Sequence, residues 1–172
     1  MIIERILDLA QRTGELLREQ RLLLATAESC TAGGVAYAVT TVPGSSAWFE
    51  RGFVTYSNES KIQLLGVSAG YLRDFGAVSE PVARAMALGA IGHSAAQIAV
   101  AITGIAGPDG GGPAKPVGTV CFGWAIRREA SSAPWVKTST RHFEGDRAAV
   151  RTSSIIAALE ELVALLSQRQ DV

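Results

Sequence analysis

Catalytic side chains of the commonest kind are scarce here. The 172 residues hold only two histidines and two cysteines. His93 stands near the end of an apolar stretch, and His142 stands in a strand-like one. Neither follows a glycine turn or neighbours another ligand-type residue. A Ser-His catalytic pair and a zinc site therefore find little support, and no G-x-S-x-G elbow occurs. Cys30 and Cys121 form no C-x-x-C and no disulfide-dense pattern, as expected of reduced thiols in a cytoplasmic protein. Sixteen basic residues balance sixteen acidic ones, so no basic field is present to hold nucleic acid or an anionic membrane.

Targeting segments are missing too. The start, MIIERILDLA, carries Glu4, Arg5 and Asp8, which breaks the order of a signal peptide. No charged residue occurs from Met86 to Pro108, a span long enough for a bilayer. Gly92, His93, Ser94 and Gln97 interrupt it, so a helix end, a turn and a buried strand account for it better. The length and the 48% hydrophobic content suit a single folded domain, 1–172.

What is present is an alternation of apolar runs. Apolar residues near helical spacing predict a first helix over 2–18, with Gly14 weakening its middle. RLLLATA reads as a buried strand, GGVAYAVTTV as a short helix, WFERGFVTY as a second strand and SNESKIQLLGV as a two-turn helix. Ser79 is a candidate N-cap for a helix over 80–94. QIAVAIT is a third strand, followed by a loop with five glycines and three prolines. VGTVCFGWAI and PWVKTSTRHF form a hairpin, and a long amphipathic helix closes the chain. The apolar strip of that helix serves either the core or the interface of a homodimer or higher homo-oligomer. The expected fold is α/β, a three-layer sandwich on a mixed, largely parallel sheet.

Ligands in such folds sit at the carboxyl ends of the strands. Three unusual segments fall there: Glu28–Gly34, Tyr56–Lys61 and Thr103–Gly112. In the first, Ser29 or Thr31 either caps a helix, or Ser29 is a nucleophile beside the N–H groups of Ala32, Gly33 and Gly34. Lys61, in the first turn of a helix, is either a solvated lysine or a general base. Both a helix N-terminus and burial disfavour its ammonium. Thr103, Gly104, Ile105, Ala106 and Gly107 supply a hydroxyl and a pliant backbone, without the Gly-Lys-Ser/Thr of a phosphate loop. Arg147 and Arg151, four residues apart at a helix start, form either a phosphate site or a solvated face.

AESCT, PGSSAWFERGFVTYSNE.K, GAVSE, TGIAGPDGG, KPVGTV and F.GDR..VR together resemble the C-terminal domain of competence/damage-inducible protein CinA. Stand-alone members of that family include bacterial nicotinamide-nucleotide amidases. The likeness covers roughly residues 5–165. It implies hydrolysis of nicotinamide mononucleotide to nicotinic acid mononucleotide and ammonia, in pyridine nucleotide salvage, with no cofactor and no metal. It also implies a Ser29 nucleophile, a Lys61 base, and site roles for Tyr56, Thr103 and Arg147; in the mechanism that fits these residues Arg147 holds the 5′-phosphate, with Arg151 as a candidate second ligand. Glu28 is left to orient Lys61 or to bind ribose, and the helix-start amides together with those of Gly104–Ala106 to hold the oxyanion. One position departs from the pattern: Ala32 stands where the family usually has glycine. Longer members carry a further N-terminal nucleotide-processing domain, whose activity is not expected from a chain opening on its own first helix. The rival readings are a non-catalytic nucleotide-binding module linked to competence or DNA damage, and a metal-assisted nucleotide hydrolase.

Overall fold

The computed structural model describes residues 1–168. In chain order these form α1 (Ile2–Gln20), β1 (Leu24–Glu28), α2 (Gly34–Thr40), a 3-10 turn (Ser45–Ala47), β2 (Phe49–Val54), α3 (Asn58–Leu65), α4 (Ala69–Phe75), α5 (Glu80–Gly92), β3 (Ile98–Gly104), β4 (Thr119–Ile126), β5 (Trp135–His142) and α6 (Arg147–Gln168). The five strands make one sheet in the order β2-β1-β3-β4-β5. β1 pairs in parallel with β2 and β3, and β4 runs antiparallel to β3 and β5. Four strands thus point one way and β4 opposes them. The expected mixed sheet between two helical layers is what forms.

Side-chain size differs between the two faces of the sheet. Leu24, Ile98, Val100, Ile102, Phe122 and Trp124 face α1, α2 and α6. The stacked rings of Phe122 and Trp124 lie 5.4 Å apart, and Trp124 Nε1 donates to Ala158 O at 3.1 Å. Each such large apolar side chain contributes about 1.5–3 kcal/mol by burial. The apolar strip of α6, including Val150, Leu159, Leu162 and Leu166, is buried in this same core. The opposite face presents Ala25, Ala27, Ala99, Ala101 and Ala125 to Val82, Met86 and Ile91 of α5. Small residues let that helix lie close: a Cβ on Gly123 would sit 2.5 Å from Ala83 O.

Two local expectations change. Gly14 is no weak point, because a Cβ there would meet the buried Trp48 ring at 2.6 Å. The glycine is the socket through which Trp48 docks on α1. Helix α4 is absent from the sequence reading. It has seven residues, Ser68 caps it, and none of its side chains is buried. A surface helix that short leaves no apolar period to detect.

The registers align the carboxyl ends of three strands. Glu28 pairs with Val54 on one side and Ile102 on the other. The ladder continues one residue further: Thr55 N donates to Glu28 O at 2.8 Å, and Ser29 N to Ile102 O at 3.0 Å. The chain passes from β1 to β2 on one side, then crosses β1 to reach β3 on the other. That is the switch point at which doubly wound sheets open a crevice.

Candidate active site

A cavity of about 230 Å³ occupies that crevice. Ser29, Tyr56, Lys61, Thr103, Gly104 and Arg147 all line it, so all three loops converge as the sequence suggests. His93 and His142 do not line it, and bond instead to Gly89 O and Val117 O.

Lys61 is delivered by α3, whose N-cap Ser57 accepts from Ser60 N at 3.1 Å. The lysine is 1% exposed. Its Nζ lies 2.8 Å from Thr55 O, 3.3 Å from Tyr56 O and 3.1 Å from Ser29 Oγ. Burial holds its pKa below the ordinary lysine value, against a smaller opposing effect from Cys30. Two carbonyls take two of the hydrogens of a neutral amine. The remaining position, a lone pair when the amine is neutral, belongs to the Ser29 hydroxyl. This is the arrangement a general base requires: hydrogen-bond reach first, then a pKa moved toward neutrality.

The turn carrying Ser29 differs from expectation. Helix α2 starts at Gly34, five residues after Ser29, with Gly33 as a cap that has no side chain. Neither Ser29 nor Thr31 caps it. The α2 amides are also not offered to a ligand, because Glu28 takes them. Its carboxylate is 1% exposed and accepts from Val35 N at 2.8 Å, Ala36 N at 3.0 Å and Thr31 Oγ1 at 2.7 Å. Glu28 therefore neither reaches Lys61 nor lines the cavity, and the same holds for Thr31, Ala32 and Gly33. Ala32 N and Gly34 N close the turn onto Ser29 O and Thr31 O, both at 3.0 Å. Ala32 and Gly33 are left-handed, with φ of 50° and 91°.

On the β3 side, Gly104 and Ala106 line the cavity, while Ile105 and Gly107 do not. Ile105 N is spent on Thr119 O at 2.9 Å. Glycine is needed at 104, where a Cβ would fall 2.8 Å from Val120 Cγ2 and 3.1 Å from Cys30 Sγ. Cys30 is 5% exposed and also forms part of the cavity wall. Burial pushes its thiol up to about 11, so it stays protonated at neutral pH and is a poor nucleophile. Thr103 Oγ1 donates to Ala77 O at 2.8 Å, which ties down the opposite wall.

Asp146 caps α6 through Ala149 N at 2.9 Å and leaves Arg147 in the first turn. The guanidinium spans the cavity mouth, with Nη1 on Gly107 O at 2.8 Å and Nη2 on Tyr56 Oη at 3.0 Å. Both partners are neutral acceptors. Arg151 turns elsewhere: its Nη2 donates to Thr31 O at 3.2 Å, and it does not line the cavity. The expected pair of phosphate arginines is thus one arginine at the cavity and one holding the serine turn.

Sequence reasoning missed Asn58, Ala77 and Val78 in the lining. The signals were the motifs YSNE.K and GAVSE, quoted for the resemblance but given no chemistry. Ala77 and Val78 form a wall whose preceding carbonyls are pinned by side chains, Phe75 O by Lys115 Nζ and Gly76 O by Ser79 Oγ, both at 2.8 Å.

The family model for the CinA C-terminal domain matches residues 6–166. The chain belongs to the CinA C-terminal domain family. This CinA domain is 51% identical over 163 residues to a protein of Pseudomonas putida named nicotinamide-nucleotide amidohydrolase PncC, covering 95% of this chain and 98% of that one. It is 48% identical to the protein of that name from Escherichia coli K12, covering 94% and 95%. A crystal structure of competence/damage inducible protein CihA from Agrobacterium tumefaciens aligns with TM-score 0.88 at 43% identity, covering 94% of this CinA domain and 95% of that chain. Among the described residues, no group of three or more His, Cys, Asp or Glu is placed to hold a metal ion. No helix among them is long and apolar enough to cross a membrane.

Proposed function

We propose that this chain is one cytoplasmic amidase domain that hydrolyses nicotinamide mononucleotide to nicotinic acid mononucleotide and ammonia, in pyridine nucleotide salvage. The names of full-length relatives supply the substrate, and the 3.1 Å contact of Lys61 Nζ with Ser29 Oγ carries the chemistry. Ser29 Oγ attacks the carboxamide carbon as its proton passes to Lys61. The tetrahedral oxyanion meets backbone N–H groups of the cavity wall at Cys30 and Ala106. The Lys61 ammonium then protonates the departing nitrogen, and the C–N bond breaks to release ammonia. Lys61, neutral again, takes a proton from water as that water attacks the acyl-serine ester. As the tetrahedral species collapses, the bond to Ser29 Oγ breaks and the Lys61 ammonium returns its proton to that oxygen, giving the acid, free Ser29 and neutral Lys61.

Arg147 supports the nucleotide reading. A guanidinium at a cavity mouth, with a carbonyl and a phenol for its hydrogen-bond partners among the described residues, suits the 5′-phosphate. Holding that remote group orients the amide over Ser29. The partner is then a small nucleotide and no polynucleotide. Ammonia release from nicotinamide mononucleotide, nicotinamide riboside and free nicotinamide, measured side by side, tests the proposal. The mononucleotide should be the best substrate by a wide margin. Tight nucleotide binding without ammonia release would leave the binding-module reading in its place.

A further inference from the structure

Glu28 is a buried acid that the proposed reaction does not use. It is the last residue of β1 and shares the sheet face of Leu24, against α2. Its carboxylate has three donors: the Thr31 hydroxyl and Val35 N–H on Oε1, and Ala36 N–H on Oε2. Val35 and Ala36 are the second and third residues of α2, whose glycine cap offers no side-chain acceptor. The Glu28 side chain thus fills the helix start, taking the amides that sequence reasoning left for a ligand.

The segment between these anchors is the one that carries Ser29. On its strand side, the backbone is held by Thr55 N to Glu28 O and Ser29 N to Ile102 O. On its helix side it is held by the Glu28 carboxylate, with Arg151 on Thr31 O as a second tie. Two residues inside the turn are left-handed, including the non-glycine Ala32, so the turn must be held by its surroundings. We infer that Glu28 is a positioning residue: its carboxylate locks the Ser29–Gly33 turn to α2 and so keeps Ser29 Oγ in register with Lys61. The inference rests on Ser29 being the nucleophile.

Three variants and one control test it. Glu28→Gln keeps the shape but sets an NH2 group against one N–H donor. Glu28→Ala opens a carboxylate-sized gap. Thr31→Val keeps the carboxylate and removes one of its donors. Displacing a reacting group by about 1 Å costs up to ~100-fold. We expect Glu28→Gln to lose about tenfold or more in kcat, with KM little changed and the acidic limb of the pH profile unmoved. Formate should restore part of the kcat of Glu28→Ala, while chloride at equal ionic strength should not. A folded Glu28→Gln with kcat within about twofold of wild type overturns the inference. So does a rise in KM at constant kcat, or a shifted pH midpoint, which would mean direct action on substrate or on Lys61. If neither Glu28 variant folds, Thr31→Val decides: a several-fold loss in kcat alone supports the inference, and unchanged kcat overturns it. Ser29→Ala separates the two levels. An active Ser29→Ala sinks the nucleophile itself, whereas an inactive one beside a normal Glu28→Gln sinks only the role of Glu28.

Discussion

Removing the amine of Lys61 should change stability in a way that depends on pH, and the dependence should match that of the activity. The side chain is 1% exposed, and its pKa is lowered by burial from the ordinary value of 10.5. Lys61→Met keeps the length of the side chain and removes the titrating group. The variant forfeits the bonds to Thr55 O and Tyr56 O, at about 1 kcal/mol each. It also escapes the cost of burying an amine. Below the folded pKa both states of the wild type carry the proton, so the difference between wild type and Lys61→Met is constant. Between the folded pKa and 10.5 the unfolded chain binds the proton and the folded one does not. Stability of the wild type, relative to Lys61→Met, must therefore rise with pH in that window. The slope approaches ~1.4 kcal/mol per pH unit for one proton.

Urea unfolding of both proteins between pH 5 and about 9 measures this difference, and subtraction cancels the other titrating groups. Stopping there also avoids the buried thiols. Cys30 titrates up at about 11, and its ionisation is coupled to Lys61. The kcat/KM profile of the wild type reports the same proton on the free enzyme. Activity should rise with pH, and its midpoint should fall where the stability slope begins. A stability difference that stays flat while kcat/KM keeps its acidic limb would refute the assignment of the base to Lys61. Lys61→Met itself should show almost no turnover at any pH.

Ser29→Ala should fold normally and lose about three orders of magnitude or more in kcat. Cys30→Ala should keep most of its activity, since the thiol is protonated at neutral pH; an inactive, folded Cys30→Ala would move the nucleophile to the cysteine. Arg147→Ala should lose about 2–4 kcal/mol in kcat/KM for nicotinamide mononucleotide, the range for a charge-assisted contact, and little for nicotinamide riboside. Equal losses on both substrates would instead assign Arg147 to holding Gly107 and Tyr56. Ala32→Gly relieves a left-handed alanine worth about 1 kcal/mol but loosens the unfolded chain, so urea melts should show it equal to or slightly more stable than wild type. Ala32→Val should be less stable by about 1 kcal/mol or more, and an unchanged Ala32→Val would show that the turn tolerates any side chain.

Much of this architecture was legible because the strands are short apolar runs closed by Gly, Pro or hydroxyl residues, and the long helices show a clear period. Helix α4 was not, since seven residues of which none is buried carry no period. Asn58, Ala77 and Val78 were not, because a cavity wall is defined by what packs behind it. Here the wall depends on Thr103 and Lys115 reaching carbonyls 26 and 40 residues away in sequence, and on Ser79 reaching one three residues away, and no single local pattern encodes that. Arg147 and Arg151 share a helix face by spacing, yet spacing says nothing of which loop each guanidinium meets.

The misreading of Glu28 could have been avoided from parity alone. Successive residues of a strand point to opposite faces. Ala25 and Ala27 lie on the small-residue face under α5, so Ser29 continues that row, while Leu24, Thr26 and Glu28 belong to the other. Ala99, Ala101 and then Thr103 follow the same alternation on β3, and the register of Glu28 with Ile102 sets Ser29 beside Thr103. Lys61 descends from α3, which packs on α5 and so arrives on the side of Ser29. Glu28 faces α2 and is left with its amides. Ser29 and Glu28 are adjacent in sequence and lie on opposite sides of the sheet, one lining the crevice and one bonded to the start of α2. The alanine face that lets α5 approach also leaves room, where α5 has yet to begin, for the cavity at the strand ends. One pattern of side-chain size thus fixes both the packing of that layer and the side on which the site opens.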